Sequence, residues 1–150
     1  MSEQGGILLV EDNPNDIELI LAALSESRLV DEVIVTRDGE QALDYLYRRG
    51  THESRSTGNP KVVLLDLKLP KLDGLEVLHR IKTDLDLKTI PVVMLTSSRE
   101  ERDLLRSYDI GTNAYVVKPM SFQAFVEAIK EVGLFWGRIN QPPNTMEWRR

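Results

Sequence analysis

Five short apolar runs punctuate the chain, at Ile7 to Val10, Val33 to Val35, Val62 to Leu65, Val92 to Leu95 and Tyr115 to Val117. Each is too short for a stable helix and has the length and aliphatic richness of a buried strand. The segments between them carry helical spacing. Ile17, Ile20, Leu21 and Leu24 share one face behind Asn13 and Pro14, an N-cap residue followed by the residue best tolerated at the first helical position. Leu43 with Leu46, then Val77, Leu78 and Ile81, then Leu104, Leu105 and Tyr108 mark three more amphipathic segments. A fifth follows Ser121, a candidate cap, with Phe122, Phe125, Val126, Ile129 and Gly133 on one face. Strand and helix alternating five times imply an α/β fold with a parallel sheet covered on both sides.

The connections are short except for Gly50 to Pro60, whose Ser, Thr, Gly and Asn content predicts a surface loop. Beyond Trp136, the segment Gly137 to Arg150 contains Pro142 and Pro143 and reads as extended or loosely ordered. A length of 150 residues suits one domain with a single core and leaves little for a separate output module. No signal peptide or membrane span is expected, since Met1 to Gly6 lacks the required pattern and no apolar run approaches ~20 residues. With no cysteine, disulfides, thiolate metal sites and cysteine nucleophiles are excluded, which fits a cytoplasmic protein. A net charge of −5 and the lack of a basic stripe argue against direct nucleic-acid binding.

In an open parallel sheet, ligands collect at the carboxyl ends of the strands. Here the first strand ends in Glu11 and Asp12, the third in Asp66, the fourth in Thr96 and Ser97, and the fifth in Lys118 and Pro119. Three crowded carboxylates repel one another, and a hard divalent cation such as Mg2+ relieves that cost. One carboxylate can then act as a nucleophile toward phosphorus, with Lys118 and Thr96 offering donors to the transferred group. Asp66, alone at a strand end between apolar neighbours, is the best nucleophile candidate. Each piece has an ordinary explanation by itself: an acidic pair often caps a helix, and a lysine or threonine often only meets water. Their arrival in order at four strand ends is what coincidence explains poorly.

These segments resemble response-regulator receiver domains: Val10-Glu11-Asp12, Leu64-Leu65-Asp66, the turn Leu69-Pro70-Lys71-Leu72-Asp73-Gly74, Leu95-Thr96-Ser97 and Tyr115-Val116-Val117-Lys118-Pro119. The resemblance spans nearly the whole chain. It implies a flavodoxin-like (βα)5 doubly wound sandwich, a receiver over residues 5–136 and a C-terminal extension at 137–150. It further implies that Asp66 is the phosphoacceptor, that Glu11, Asp12, Asp66 and the backbone carbonyl of Lys68 hold Mg2+, and that Lys118 contacts the phosphate. Thr96 and Tyr115 would form the switch pair, and the bond before Pro119 would be cis. The phosphoryl donor would be the phosphohistidine of a sensor histidine kinase. Tyr45-Leu46-Tyr47-Arg48-Arg49-Gly50, the lengthened loop after it, Leu134-Phe135-Trp136 and Pro142-Pro143 are similar to single-domain regulators of bacterial phytochromes, which makes a phytochrome the expected partner. Thr112 departs from the alanine of many receivers, and Lys68 and Ser98 occupy two positions that vary with dephosphorylation rate.

The rival reading is a Mg2+-dependent phosphatase with an aspartate nucleophile. Such enzymes, by resemblance, place an acid two residues after the nucleophile, where this chain has Lys68, which cannot protonate a leaving group in the same way. A pseudo-receiver is disfavoured by the intact set of five residues, and flavin-type cofactor binding by the lack of a phosphate loop after the first strand. His52 and His79 are read as solvated. Phe135 and Trp136 lie about 100° apart on the last helix, so one packs inward and the other reaches the surface, where it would anchor a homodimer.

Overall fold

The computed structural model describes residues 5–56 and 58–143. Strands β1 (Ile7–Val10), β2 (Val33–Thr36), β3 (Val62–Leu65), β4 (Val92–Thr96) and β5 (Ala114–Val117) alternate with helices α1 (Pro14–Glu26), α2 (Gly39–Tyr47), α3 (Gly74–Thr83), α4 (Glu101–Ile110) and α5 (Phe122–Leu134). The strands form one sheet in the order β2-β1-β3-β4-β5, every neighbouring pair parallel. This is the expected five-stranded doubly wound sandwich. The register sets Val10 beside Leu65 and Thr96 beside Val117, so the strands finish nearly level and deliver their next residues to one edge.

Side chains alternate across a strand, and the alternation divides the core in two. Leu8, Val10, Val63, Leu65, Val92 and Met94 meet Leu43 and Leu46 of α2 and Val77, Leu78 and Ile81 of α3. Ile7, Leu9, Val62, Leu64, Val93 and Leu95 meet Ile20 and Leu24 of α1 and Phe125 and Ile129 of α5. Each of these side chains is almost wholly removed from water, a burial worth roughly 1.5–3 kcal/mol apiece.

Local chemistry starts α1 and α5 where the sequence predicts. The Asn13 carboxamide oxygen accepts from the N–H groups of Asn15 at 2.9 Å and Asp16 at 3.1 Å, and Ser121 accepts from Ala124 at 3.3 Å. Asp38 and Asp73 cap α2 and α3 in the same way. At the start of α3, Gly74 lies so close to the preceding loop that a Cβ would come within 2.1 Å of the Asp66 carbonyl oxygen.

Several expectations are corrected. Leu105 and Tyr108 of α4 are exposed rather than inward, because α4 turns the small, buried Ser107 toward the body, flanked by half-buried Leu104 and Ile110. Phe122 is 68 % exposed, since it stands at the first residue of α5, beyond the edge of the core. The helical path runs past Trp136 in a π-helical turn, Phe135–Ile139, instead of giving way to extended chain at Gly137. Gly137 is buried within this turn, beside Ile7 and Leu29. Residues 140–143 lack helix or strand, and the rest of the expected extended tail lies outside the described residues. His52 is half-buried, edge-on to the Tyr45 ring at 5.1 Å, while His79 is exposed as expected. The long loop is tied down by Arg55, whose guanidinium covers Tyr45 at 4.3 Å and donates to the Tyr45 carbonyl at 3.0 Å. Among the described residues no helix is long and apolar enough to cross a membrane.

Candidate functional site at the carboxyl edge of the sheet

Glu11 and Asp12 follow β1 directly, Asp66 follows β3, Thr96 ends β4 and Lys118 follows β5. Backbone bonds carry the ladder up to these residues: the Asp66 N–H donates to the Val10 carbonyl at 3.1 Å and the Lys118 N–H to the Thr96 carbonyl at 2.8 Å. The strands therefore aim the reactive side chains from a fixed base. Glu11, Asp12 and Asp66 each present a carboxylate oxygen within 4.8 Å of the others. Asp12 is exposed, whereas Glu11 is 1 % and Asp66 9 % exposed.

Lys118 draws the group together. Its Nζ donates to Glu11 Oε1 at 2.6 Å, to Asp16 Oδ2 at 2.8 Å and to Asp66 Oδ2 at 3.4 Å. The other Glu11 oxygen accepts from the Asn13 N–H at 3.2 Å. Burial pushes the Glu11 carboxyl up to about 7, helped by the charge of Asp66 and opposed by the Lys118 bond. Burial acts against the Lys118 ammonium too, but its bonds to Asp16 and Glu11 and the charge of Asp66 outweigh it and hold the amine above the usual lysine range. Three carboxylates around one ammonium, with Asp12 beside them, leave the site short of positive charge. Clustered oxygen donors with that deficit suit a hard divalent cation.

On the opposite flank, Thr96 and Tyr115 meet through Ser98. The Ser98 N–H donates to Thr96 Oγ1 at 3.2 Å, and the Tyr115 hydroxyl donates to the Ser98 carbonyl at 3.1 Å. The Ser98 hydroxyl donates to Asp103 Oδ2 at 2.7 Å, which joins the end of β4 to α4. Lys68 points into solvent from the turn after Asp66, and with Asp12, Asp73, Arg102 and Arg106 it lines a cavity of about 520 Å3 between that turn and α4. The bond between Lys118 and Pro119 is trans, which corrects the cis bond implied by the resemblance. An X–Pro amide favours trans by about 0.5–1 kcal/mol unless its surroundings impose the other form, and Lys118 reaches all three carboxylates from the trans chain.

Phe135 and Trp136 divide their roles as their spacing predicts. Phe135 is 45 % exposed and Trp136 packs against the core on the α1 and α5 side, the two rings meeting edge-on at 5.0 Å. They lie on the extension of α5, away from the carboxylates. Asp16, Ser98 and Asp103 are the members of this site that strand ends alone do not reveal. A hint for Asp16 is its place in the first turn of a helix capped at the functional edge.

Residues 7–130 match the family model of the response regulator receiver domain. Response regulator Rcp1 of Synechocystis is 41 % identical over 130 residues, 87 % of either chain, and its Mn2+-bound structure superposes with a TM-score of 0.85 over 93 % of this chain and 99 % of that one. The phosphorylated cyanobacterial phytochrome response regulator RcpA is 42 % identical, with a TM-score of 0.86 and the same coverage. The bacteriophytochrome response regulator AtBRR is 58 % identical, with a TM-score of 0.73 over 93 % of this chain and 99 % of that one. Sequence, sheet order and the carboxylate edge thus lead to one assignment: the chain belongs to the receiver domains of two-component response regulators.

Proposed function

We propose that the chain accepts a phosphoryl group on Asp66 from the phosphohistidine of a sensor histidine kinase, in a Mg2+-dependent reaction, and signals through protein contacts. The observation that carries this reading is the convergence of Lys118 and the carboxylates of Glu11 and Asp12 on Asp66. An Asp66 carboxylate oxygen attacks phosphorus; the P–N bond breaks, its electron pair stays on the imidazole, and solvent supplies the proton. Glu11, Asp12, Asp66 and the Lys68 carbonyl would hold Mg2+, which would supply positive charge beside the phosphoryl oxygens when bound. Lys118 turns its ammonium onto the same oxygens. Thr96 gives up its bond from Ser98 and moves onto the new group, and Tyr115 turns into the space left behind. The phosphatase reading is not favoured, since Lys68 stands where that chemistry needs an acid.

The phytochrome regulators among its relatives support a phytochrome kinase as donor. Such transfer belongs in the cytoplasm, a reducing compartment to which a chain without cysteine is suited. We further read residues 5–136 as the receiver, 137–150 as an extension, and the exposed Phe135 with Trp136 as part of a homodimer interface. The test is direct. Acetyl phosphate and Mg2+ should add a phosphoryl mass that hydroxylamine removes, and Asp66→Asn should abolish it while leaving the circular dichroism spectrum unchanged. Transfer from an autophosphorylated phytochrome kinase should outpace transfer from an unrelated kinase. Full labelling of the Asn variant would overturn the assignment of the acceptor.

A further inference from the structure

Asp16 lies in the first turn of α1, just after the acidic pair, and its carboxylate meets Lys118 Nζ at 2.8 Å, shorter than the 3.4 Å from that amine to Asp66. Its side chain is 25 % exposed and that of Lys118 10 %, so the pair is partly shielded from water. The Asn13 cap fixes the Asp16 backbone, so the carboxylate is presented from a rigid turn. Lys118 thus has three acceptors for its three N–H groups, and one of them, Glu11, is also needed by the divalent cation.

We propose that Asp16 is a positioning residue which keeps Lys118 anchored beside Asp66 while Glu11 is released to the cation. The inference rests on the receiver reading of the site. Where Asp16 is present, the ammonium can give up Glu11 and still hold a charged partner on α1. Without Asp16 only Glu11 and Asp66 remain, two of the carboxylates that the cation must win. Lys118 then becomes a competitor of the cation instead of a neighbour to it. The effect passes through Lys118, and this separates it from simple loss of a negative charge or loss of a ligand.

A double-mutant cycle on the full chain tests this, with Mg2+ affinity read by calorimetry for the wild type, Asp16→Asn, Lys118→Met and the double variant. Asn keeps the shape of Asp and the backbone cap, and circular dichroism checks the fold of each protein. Asp16→Asn should raise the Kd for Mg2+ roughly tenfold when Lys118 is present and by a clearly smaller factor in the Lys118→Met background. Asp16→Glu should recover part of the affinity. Equal fold-changes in the two backgrounds would overturn the proposal and leave Asp16 acting through its charge or as a ligand. A wild type that binds no Mg2+ would overturn the receiver reading, and this inference with it.

Discussion

Glu11 and Asp12 are chain neighbours with opposite surroundings. Both Glu11 oxygens are already engaged, one by Lys118 and one by the Asn13 N–H, while Asp12 is open to solvent. Asp12 is therefore the freer group to contact a cation directly, and Asp12→Ala should weaken Mg2+ binding by roughly tenfold or more. Glu11→Ala should cost less, and equal titration midpoints for the two variants would refute the ordering. Lys68 raises a kinetic question. Its long cationic chain leaves the turn two residues past Asp66, where it can pair with phosphoryl oxygens and obstruct attacking water. Lys68→Ala should then shorten the lifetime of the phosphorylated form severalfold, read as loss of the hydroxylamine-sensitive mass over time. The strand-end members of the site were legible because each simply follows a buried run. Asp16 was not, because its role depends on a side chain that arrives from elsewhere in the chain: it matters only once Lys118 is brought back from 102 positions away.

Strands β1 and β3 match the residues read from sequence because aliphatic runs buried on both faces leave little freedom in where they end, and α1 does so because Asn13 and Pro14 specify its start. α4 was misread: apolar spacing alone counts Leu105 and Tyr108 as core, but the body of the protein receives Ser107 instead. The end of α5 was placed too early for another reason: Pro142 and Pro143 forbid helix only at their own positions, and the helical path continues as far as Ile139 before them. Two element-level predictions follow from the junctions around α3. Gly74→Ala would drive a methyl against the Asp66 carbonyl and the Leu67 Cα, so α3 must shift; a loss of about 1–3 kcal/mol is expected in urea unfolding. At the other end of α3, Lys82 donates to the Lys88 and Ile90 carbonyls and to Asn113 Oδ1, while burial pushes its pKa down to about 8. Below that pH the folded state carries a charged amine in a poorly solvated place. Between pH 8 and 10.5 the folded form has released the proton and the unfolded form still binds it, so this destabilisation fades as pH rises. The stability of the wild type relative to Lys82→Met should therefore climb across that window, by at most about 1.4 kcal/mol per pH unit, and a flat difference would refute the shift.

For the molecule as a whole, the first question is association. If the exposed Phe135 ring anchors a second copy, Phe135→Ala should lower the dimer fraction seen by light scattering with little change in melting temperature, because the ring is half in water already. Trp136→Ala should lower both, because the indole is also packed on the core. A wild type that stays monomeric at high micromolar concentration, with and without acetyl phosphate, would remove the support for a dimer. The sheet itself is unevenly protected: β1, β3 and β4 are buried along their length, while β5 is half-buried throughout and forms one edge. Asp66 thus follows a strand deep in the sheet, whereas Lys118 and Tyr115 belong to its margin. In amide hydrogen exchange, β1 and β3 should exchange only through global opening and β5 through smaller, more frequent openings. On the proposed function, burial separates the half of the site that stays still from the half that responds, and a phosphoryl group on Asp66 should register as a change in deuterium uptake along β5 and α4 with none along β3.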